Sequence, residues 1–424
     1  MDKNSKSNYV LSLVLSFLYL VFFISLVFAF NFFSSASIGL ILLVGLVKNK
    51  IENKPLIDLS AKNLFLIACL LYYLFQVASL LYTHDKEESF VQLRIKSALV
   101  FVPLALCSFN YINSNNREKL LFAFCFILFT ASLYCIAINS WSYYQSHDPT
   151  VFFFHALVAP IKQHAVFFSI YIFVTLIFLV ENGSEILNRS FQVFLVLYFS
   201  VFLFLLSSKL VIAFYLFYLF YYSLVILSKQ KRKRPVALGI VLTAIVSIIL
   251  LVTTRNPVSD RFIEVLNTDM GLVKQDKFNP GIYFNDVQFR IIEWKFTKEI
   301  VTKNNAWWLG VSPGEGQNYL DKKYIEKNVY IGAPSRGDKG FIGYNTHSEV
   351  CESLLQSGIA GVLLFLLIIA GMIKIAWKKR TRLLCFTIIL LLVFSQVESV
   401  FETQYGIVLF TFFPLFLSLD GKQE

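Results

Sequence analysis

Twelve apolar runs set the terms for this chain. Read for stretches of roughly 17 to 23 residues, the length a helix needs to cross a bilayer, the sequence gives spans at 9–30, 33–47, 64–82, 96–113, 119–140, 164–181, 190–207, 209–228, 236–253, 358–377, 383–398 and 402–419. Hydrophobic residues make up 57% of the chain and charged residues 15%, with 45 Phe and 21 Tyr. A water-soluble protein has no way to keep so much apolar surface from water. The expected fold class is an all-α polytopic membrane protein with about 12 transmembrane helices. The first run follows Lys3 and Lys6 in the manner of a signal sequence, but it ends in Ala29-Phe30-Asn31-Phe32-Phe33 with no small-residue cleavage site. It therefore reads as a retained span.

Lys and Arg sort the short loops by side. One set carries Lys48, Lys50, Lys54 and Lys62, then Lys229, Lys231, Arg232, Lys233 and Arg234, then Lys374, Lys378, Lys379, Arg380 and Arg382. The other set carries few bases, chiefly Lys86, Arg94, Lys96, Lys162 and Lys209. Both termini are then cytoplasmic, and the long polar segment 254–357 is external. The expected organisation is nine spans in 1–253, an external, mainly helical loop domain at 254–357, and three spans with a short cytoplasmic tail in 358–424. Topology also explains most of the formal charge of +11. The bases are scattered rather than set in a patch with interleaved aromatics, so nucleic acid is not an expected partner. Of six cysteines, only Cys351 lies outside the apolar runs, which leaves neither a disulfide framework nor a zinc pattern.

The polar segment is too long for a connector and is rich in aromatics, as expected of a cap folded over the membrane. Residues 285–304 read as a helix, with Arg290 beside Trp294 at the edge of an apolar stripe. A Gly-rich turn follows, from Trp307 through Gly310 and Gly314 to Gly316. Further on, Thr346 and Glu349 form a capping-box pattern that predicts a helix from His347, ended by Gly358. In the first turn of that helix the dipole would disfavour imidazolium and attract anions. A neutral imidazole beside an anion site suits a general base. Glu349 reads as the capping acid. Glu352 is placed either to orient His347 or to face water, and Tyr344 either to contact substrate or to anchor the loop.

His347, Leu354, Gly358 and Gly361 resemble the signature that closes the large external loop of the O-antigen ligase and polymerase superfamily. The order Arg290, Trp294, Gly310, Gly314, Gly316, His347 is similar to that loop as well. The signature has His-Asn at its start and an acid two residues before its first Gly, where this chain has Ser348 and Gln356. The resemblance implies a GT-C-like membrane glycosyltransferase that takes a glycan from undecaprenyl pyrophosphate and passes it to an acceptor hydroxyl. The acceptor would be lipid A-core, a growing polysaccharide or a protein. It also implies a bacterial inner-membrane, multi-pass protein whose site faces the periplasm, with membrane lipids as surroundings.

That reaction needs a base for the hydroxyl proton and cations for the departing pyrophosphate. His347 is the expected base. Arg290 is the leading cation, because a guanidinium is always charged and grips phosphate bidentately. Lys209 follows Ser207-Ser208 where the superfamily commonly has Ser-Arg, which implies a pyrophosphate contact. Arg94 precedes the fourth span and is either a substrate contact or a charge snorkelling to headgroups. Arg261 is a further external cation. His164, where the sixth span begins, is a second candidate histidine, while His84, His147 and His155 read as surface or interfacial.

No Asp-x-Asp pair or metal-ligand spacing stands on the external side, so neither metal nor cofactor is expected. The first external loop, Asn31 to Ser35, holds no carboxylate, unlike the other large class of lipid-linked sugar transferases. No Gly-rich nucleotide motif follows a strand. A transporter of lipid-linked sugars is the competing reading from another class. Transporters tend to show internal repeats and mid-membrane polar groups, whereas polarity here concentrates in one external segment.

Overall fold

The computed structural model describes residues 3–57, 59, 63–107, 114–229, 259, 260, 263, 268–282, 284–333 and 338–419. Its helices in the first half are α1 (Lys3–Val27), α2 (Asn31–Ile51), α3 (Leu64–Ala78), α4 (Lys86–Lys96), α5 (Ala98–Cys107), α6 (Ser114–Ser146), α7 (Phe154–Val158), α8 (Ala165–Ile186), α9 (Arg189–Leu205) and α10 (Lys209–Lys229). Further along come α11 (Asp286–Lys303), α12 (Gly316–Glu326), α13 (Glu349–Lys379), α14 (Arg382–Phe394) and α15 (Gln404–Ser418).

Among the described residues, 8 helices are long and apolar enough to cross a membrane, and α9, α14 and α15 are shorter apolar ones. The chain is an all-α polytopic membrane protein. The expected span at 236–253 and the bases at 231–234 lie outside the described residues. Several boundaries differ from expectation, and two of them change how a segment reads. The second helix runs Asn31–Ile51, so Asn31 to Ser35 is its first turn rather than a loop. The fourth span starts at Lys86, ten residues before the expected 96, because Asp85 accepts from the Glu88 N–H at 3.0 Å and starts a helix in polar sequence.

The chain divides into two units, one of residues 1–15, 35–113 and 268–424, the other of 16–34 and 114–267. In the second unit, α8 packs against α6, α9 and α10. The turn between α9 and α10 rests on Ser207, whose φ of 52° is left-handed. A buried Gln192 on α9 donates to the Leu179 carbonyl of α8 at 2.6 Å.

In the first unit, α3 lies along α13, and α5 along α15. The polar segment adds its own core here. On α11, Phe289, Ile292, Phe296 and Ile300 fall at spacings of a helix face and are all buried. They pack with Phe278, Phe284, Leu320, Tyr324 and Val329, and with Leu355 of α13. A capping box starts α11: Asn285 accepts from the Gln288 N–H at 2.9 Å, and Gln288 Oε1 accepts from the Asn285 N–H at 2.9 Å.

Gly358 ends the first, short helical segment of α13 as expected, and a second segment continues directly beyond it. Its φ of 62° interrupts α13, and the turn at 307–312 fills the break. The N–H groups of Ile359 and Ala360 donate to the carbonyls of Trp307 and Trp308, and the carbonyls of Leu355 and Gln356 accept from the N–H groups of Val311 and Ser312. The backbone groups freed by the break are thus satisfied by a second segment. Only glycine fits, since a Cβ at Gly358 would lie 2.4 Å from the Trp308 carbonyl carbon, and one at Gly310 2.3 Å from that of Gln356. The Gly-rich turn is therefore a clamp that fixes the start of α13 against the turn that follows α11.

Candidate active site

Helix α13 begins at Glu349, not at His347. Ser348 is the N-cap, accepting from the Cys351 N–H at 3.5 Å, so this chain meets the Asn of the family signature with another capping residue. Thr346 does not cap. Its hydroxyl donates to Glu352 Oε2 at 2.8 Å, and its N–H to the same oxygen at 3.1 Å. The expected capping acid, Glu349, is buried and accepts instead from the Phe401 N–H at 2.8 Å. The carboxylate of Glu352 outcompetes the capping geometry for Thr346, and the helix starts two residues late.

His347 consequently stands just outside the helix, at φ 45°, in a turn closed by its own N–H to Asn345 Oδ1 at 3.0 Å. A carboxylate rather than a helix dipole sets its protonation. Its Nδ1 lies 3.0 and 3.1 Å from the two oxygens of Glu293 on α11. Glu293 is fully buried, with the Tyr324 hydroxyl 3.3 Å from its Oε1. This pairing fixes the tautomer with the proton on Nδ1 and leaves Nε2 as the basic nitrogen. Glu352, the residue expected to orient the histidine or face water, is buried and does neither.

Burial on its own would lower the pKa of His347, but the hydrogen bond and charge of Glu293, helped by Glu398, outweigh it and hold the imidazole above its ordinary value. Arg290 pulls the other way. Burial pushes Glu293 up, against the opposing pull of His347 and Arg290. The carboxylate of the pair is fully buried, while the imidazole side chain keeps 23% exposure. Glu398 is also pushed up by burial, against His347 and Arg290.

Arg290 sits one turn before Trp294. Its Nε donates to the Val397 carbonyl at 3.2 Å and its Nη1 to the Asp286 carbonyl at 3.0 Å. The Trp294 Nε1 donates to the Thr346 carbonyl at 3.2 Å, tying α11 to the residue before His347. Residues 395–401, between α14 and α15, supply a second wall. Ser395 O accepts from the Glu349 N–H at 2.9 Å, and Ser399 Oγ from the Ser348 N–H at 3.2 Å. The ring of Tyr344, 45% exposed, lies 5.7 Å from that of His347, and its carbonyl accepts from the Tyr324 hydroxyl at 2.9 Å. Its ring borders the site while its backbone anchors the loop.

Beneath this lies a buried polar network. Lys96, 1% exposed, pairs with Glu402 at 3.1 Å and donates to Gln356 Oε1. Gln356 Nε2 in turn donates to Glu352 at 2.7 Å and to Glu402 at 2.9 Å. An acid at 356, as in the family signature, would face two carboxylates; the amide bonds both.

The structure brings His347 and Arg290 into one electrostatic cluster. Arg94 is exposed in the last turn of α4, and among the described residues no hydrogen bond or ion pair joins its side chain to either. His164 and Lys209 belong to the second unit. His164 is exposed at the start of α8, its ring 4.4 Å from that of His155, and Lys209 opens α10. Arg261 lies outside the described residues. Sequence reasoning missed Glu293, Glu398 and Lys96. Glu293 had a signal: four residues after Phe289 and three before Phe296, it is an acid on an apolar helix face. Glu398 and Lys96 had none, being placed at the edges of apolar runs.

Residues 194–366 match the family model described as O-antigen ligase. The match supports membership in the O-antigen ligase and polymerase superfamily. The matched stretch holds Lys209, Arg290, Glu293 and His347, while Arg94, His164 and Glu398 fall outside it. No curated protein was found to match the chain. Together with the apolar helices, the match supports a membrane glycosyltransferase of the O-antigen ligase and polymerase type.

Proposed function

We propose that the protein moves an oligo- or polysaccharide from undecaprenyl pyrophosphate to an acceptor hydroxyl, with inversion at the anomeric carbon and without a metal. The observation that carries this reading is the His347–Glu293 pair beside Arg290. His347 Nε2 takes the acceptor proton as the hydroxyl oxygen attacks the anomeric carbon. The bond from that carbon to the pyrophosphate oxygen breaks as the new one forms, and the electron pair leaves with the pyrophosphate. Glu293 stabilises the imidazolium that results, and Arg290 offsets the growing negative charge of the leaving group.

Lipid A-core is the acceptor favoured for this ligase reading; polymerisation or transfer to protein would use the same chemistry. Lys209, Arg94, His164 and Arg261 are proposed as further substrate contacts on their sequence positions. The site is proposed to face the periplasm from the bacterial inner membrane. The deciding experiment is glycan transfer in membranes with His347→Ala. Loss of the base costs roughly 10²–10⁴-fold in rate at equal expression. Full transfer by a well-folded variant would overturn the assignment.

A further inference from the structure

The C-terminal half of α11 and the facing side of α12 border an open, shallow pocket of about 530 Å³, lined by Lys295, Lys298, Glu299, Thr302, Lys303 and Lys323. Four lysines and one acid line it. The acid is already engaged, with Glu299 paired to Lys323 at 2.9 Å and to Lys327 at 3.2 Å. Lys323 is held on the pocket floor at 6% exposure between Glu299 and Glu326, the latter at 3.0 Å. Lys295 pairs with Asp276 at 3.5 Å. Among the described residues Lys298 and Lys303 make no ion pair within 4.0 Å, although Glu326 acts on Lys303 through its charge. Helix-dipole compensation accounts for Lys303 in the last turn of α11, but not for Lys295 and Lys298 farther back.

The pocket is also connected to the site. Arg290, Trp294, Lys298 and Thr302 recur at intervals of four, so they form one strip along α11. Trp294 is 38% exposed, and Lys298 and Thr302 line the pocket itself. From Arg290 to Lys298 the helix rises about 12 Å. An exposed indole followed by an ammonium at one-turn spacing gives a sugar ring an apolar face to rest on and an anion a partner beyond it.

We propose that this pocket binds the carboxylate or phosphate groups of a negatively charged saccharide extending from the site at His347. The proposal rests on the glycosyltransferase reading and narrows its substrate to acidic glycans. The test uses the purified full chain in nanodiscs of phosphatidylcholine, with tetragalacturonic acid as the acidic probe and maltotetraose as the neutral one. The acidic probe is expected to bind with an affinity that falls as salt rises, and the neutral one at least tenfold more weakly. Lys298→Glu with Lys303→Glu is expected to weaken the acidic probe at least tenfold and leave the neutral one unchanged. The single variants Lys298→Gln and Lys303→Gln give intermediate losses and serve if the double variant does not fold.

Equal binding of both probes, or unchanged binding in the variants, would overturn the proposal. So would variants that lose association with phosphatidylglycerol vesicles while keeping the acidic probe, since the lysines would then contact lipid. His347→Ala is expected to bind the acidic probe as the parent chain does. Binding therefore fails or stands separately from transfer.

Discussion

At the scale of the residue, protonation of His347 decides the behaviour of the site. Glu293 and Glu398 hold the imidazole above the usual histidine value, and a base must be neutral to act. Activity is then lost as pH falls through this raised pKa, and the acid limb of the pH–rate profile should lie above the usual histidine midpoint. Glu293→Gln removes the charge that raises it. The limb should move to lower pH, and kcat should fall roughly tenfold or more because the imidazolium is no longer stabilised. A limb that stays in place would show that Glu293 does not set the base. Arg290→Ala is expected to cost roughly 10²–10³-fold in kcat if the guanidinium stabilises the leaving group. A change confined to KM would assign it to ground-state binding instead.

At the scale of the element, the break in α13 is the feature that holds the site together. Gly358→Ala meets both a left-handed φ and the Trp308 backbone, whereas Gly343→Ala, at φ 87°, meets nothing within 4 Å. The second substitution should therefore cost only about 1–2 kcal/mol of conformational strain. The first should lower the thermal midpoint in detergent well beyond that, and near-equal midpoints would contradict the clamp. Lys96 belongs to the same region. Lys96→Met leaves the buried Glu352 and the partly buried Glu402 with one cation fewer, and a loss of about 3 kcal/mol is expected from breaking the pair. Part of the fold was legible beforehand: the limits of α11 and the break between α9 and α10 follow from local residues. The start of α13 was not, because Thr346 and Glu349 satisfy a local pattern whose groups are claimed by Glu352 and Phe401.

At the scale of the whole molecule, the bias of Lys and Arg predicts a topology that labelling can check. In intact cells with a permeabilised outer membrane, Lys298→Cys on α11 should react with a membrane-impermeant maleimide, and Lys378→Cys should react only after the inner membrane is opened. The reverse pattern would put the site in the cytoplasm. By itself the sequence determined the membrane class, most of the apolar helices, the helix at 285–304, and His347 and Arg290 as candidates, because runs of apolar residues and turn chemistry act over a few neighbours. Only the tertiary structure decided that the histidine's partner is Glu293, 54 positions away, that residues 395–401 wall the site, and that Lys96 is buried among acids. The physical reason is that a buried charge is tolerated only beside its partner, and which distant residues become partners is settled by packing.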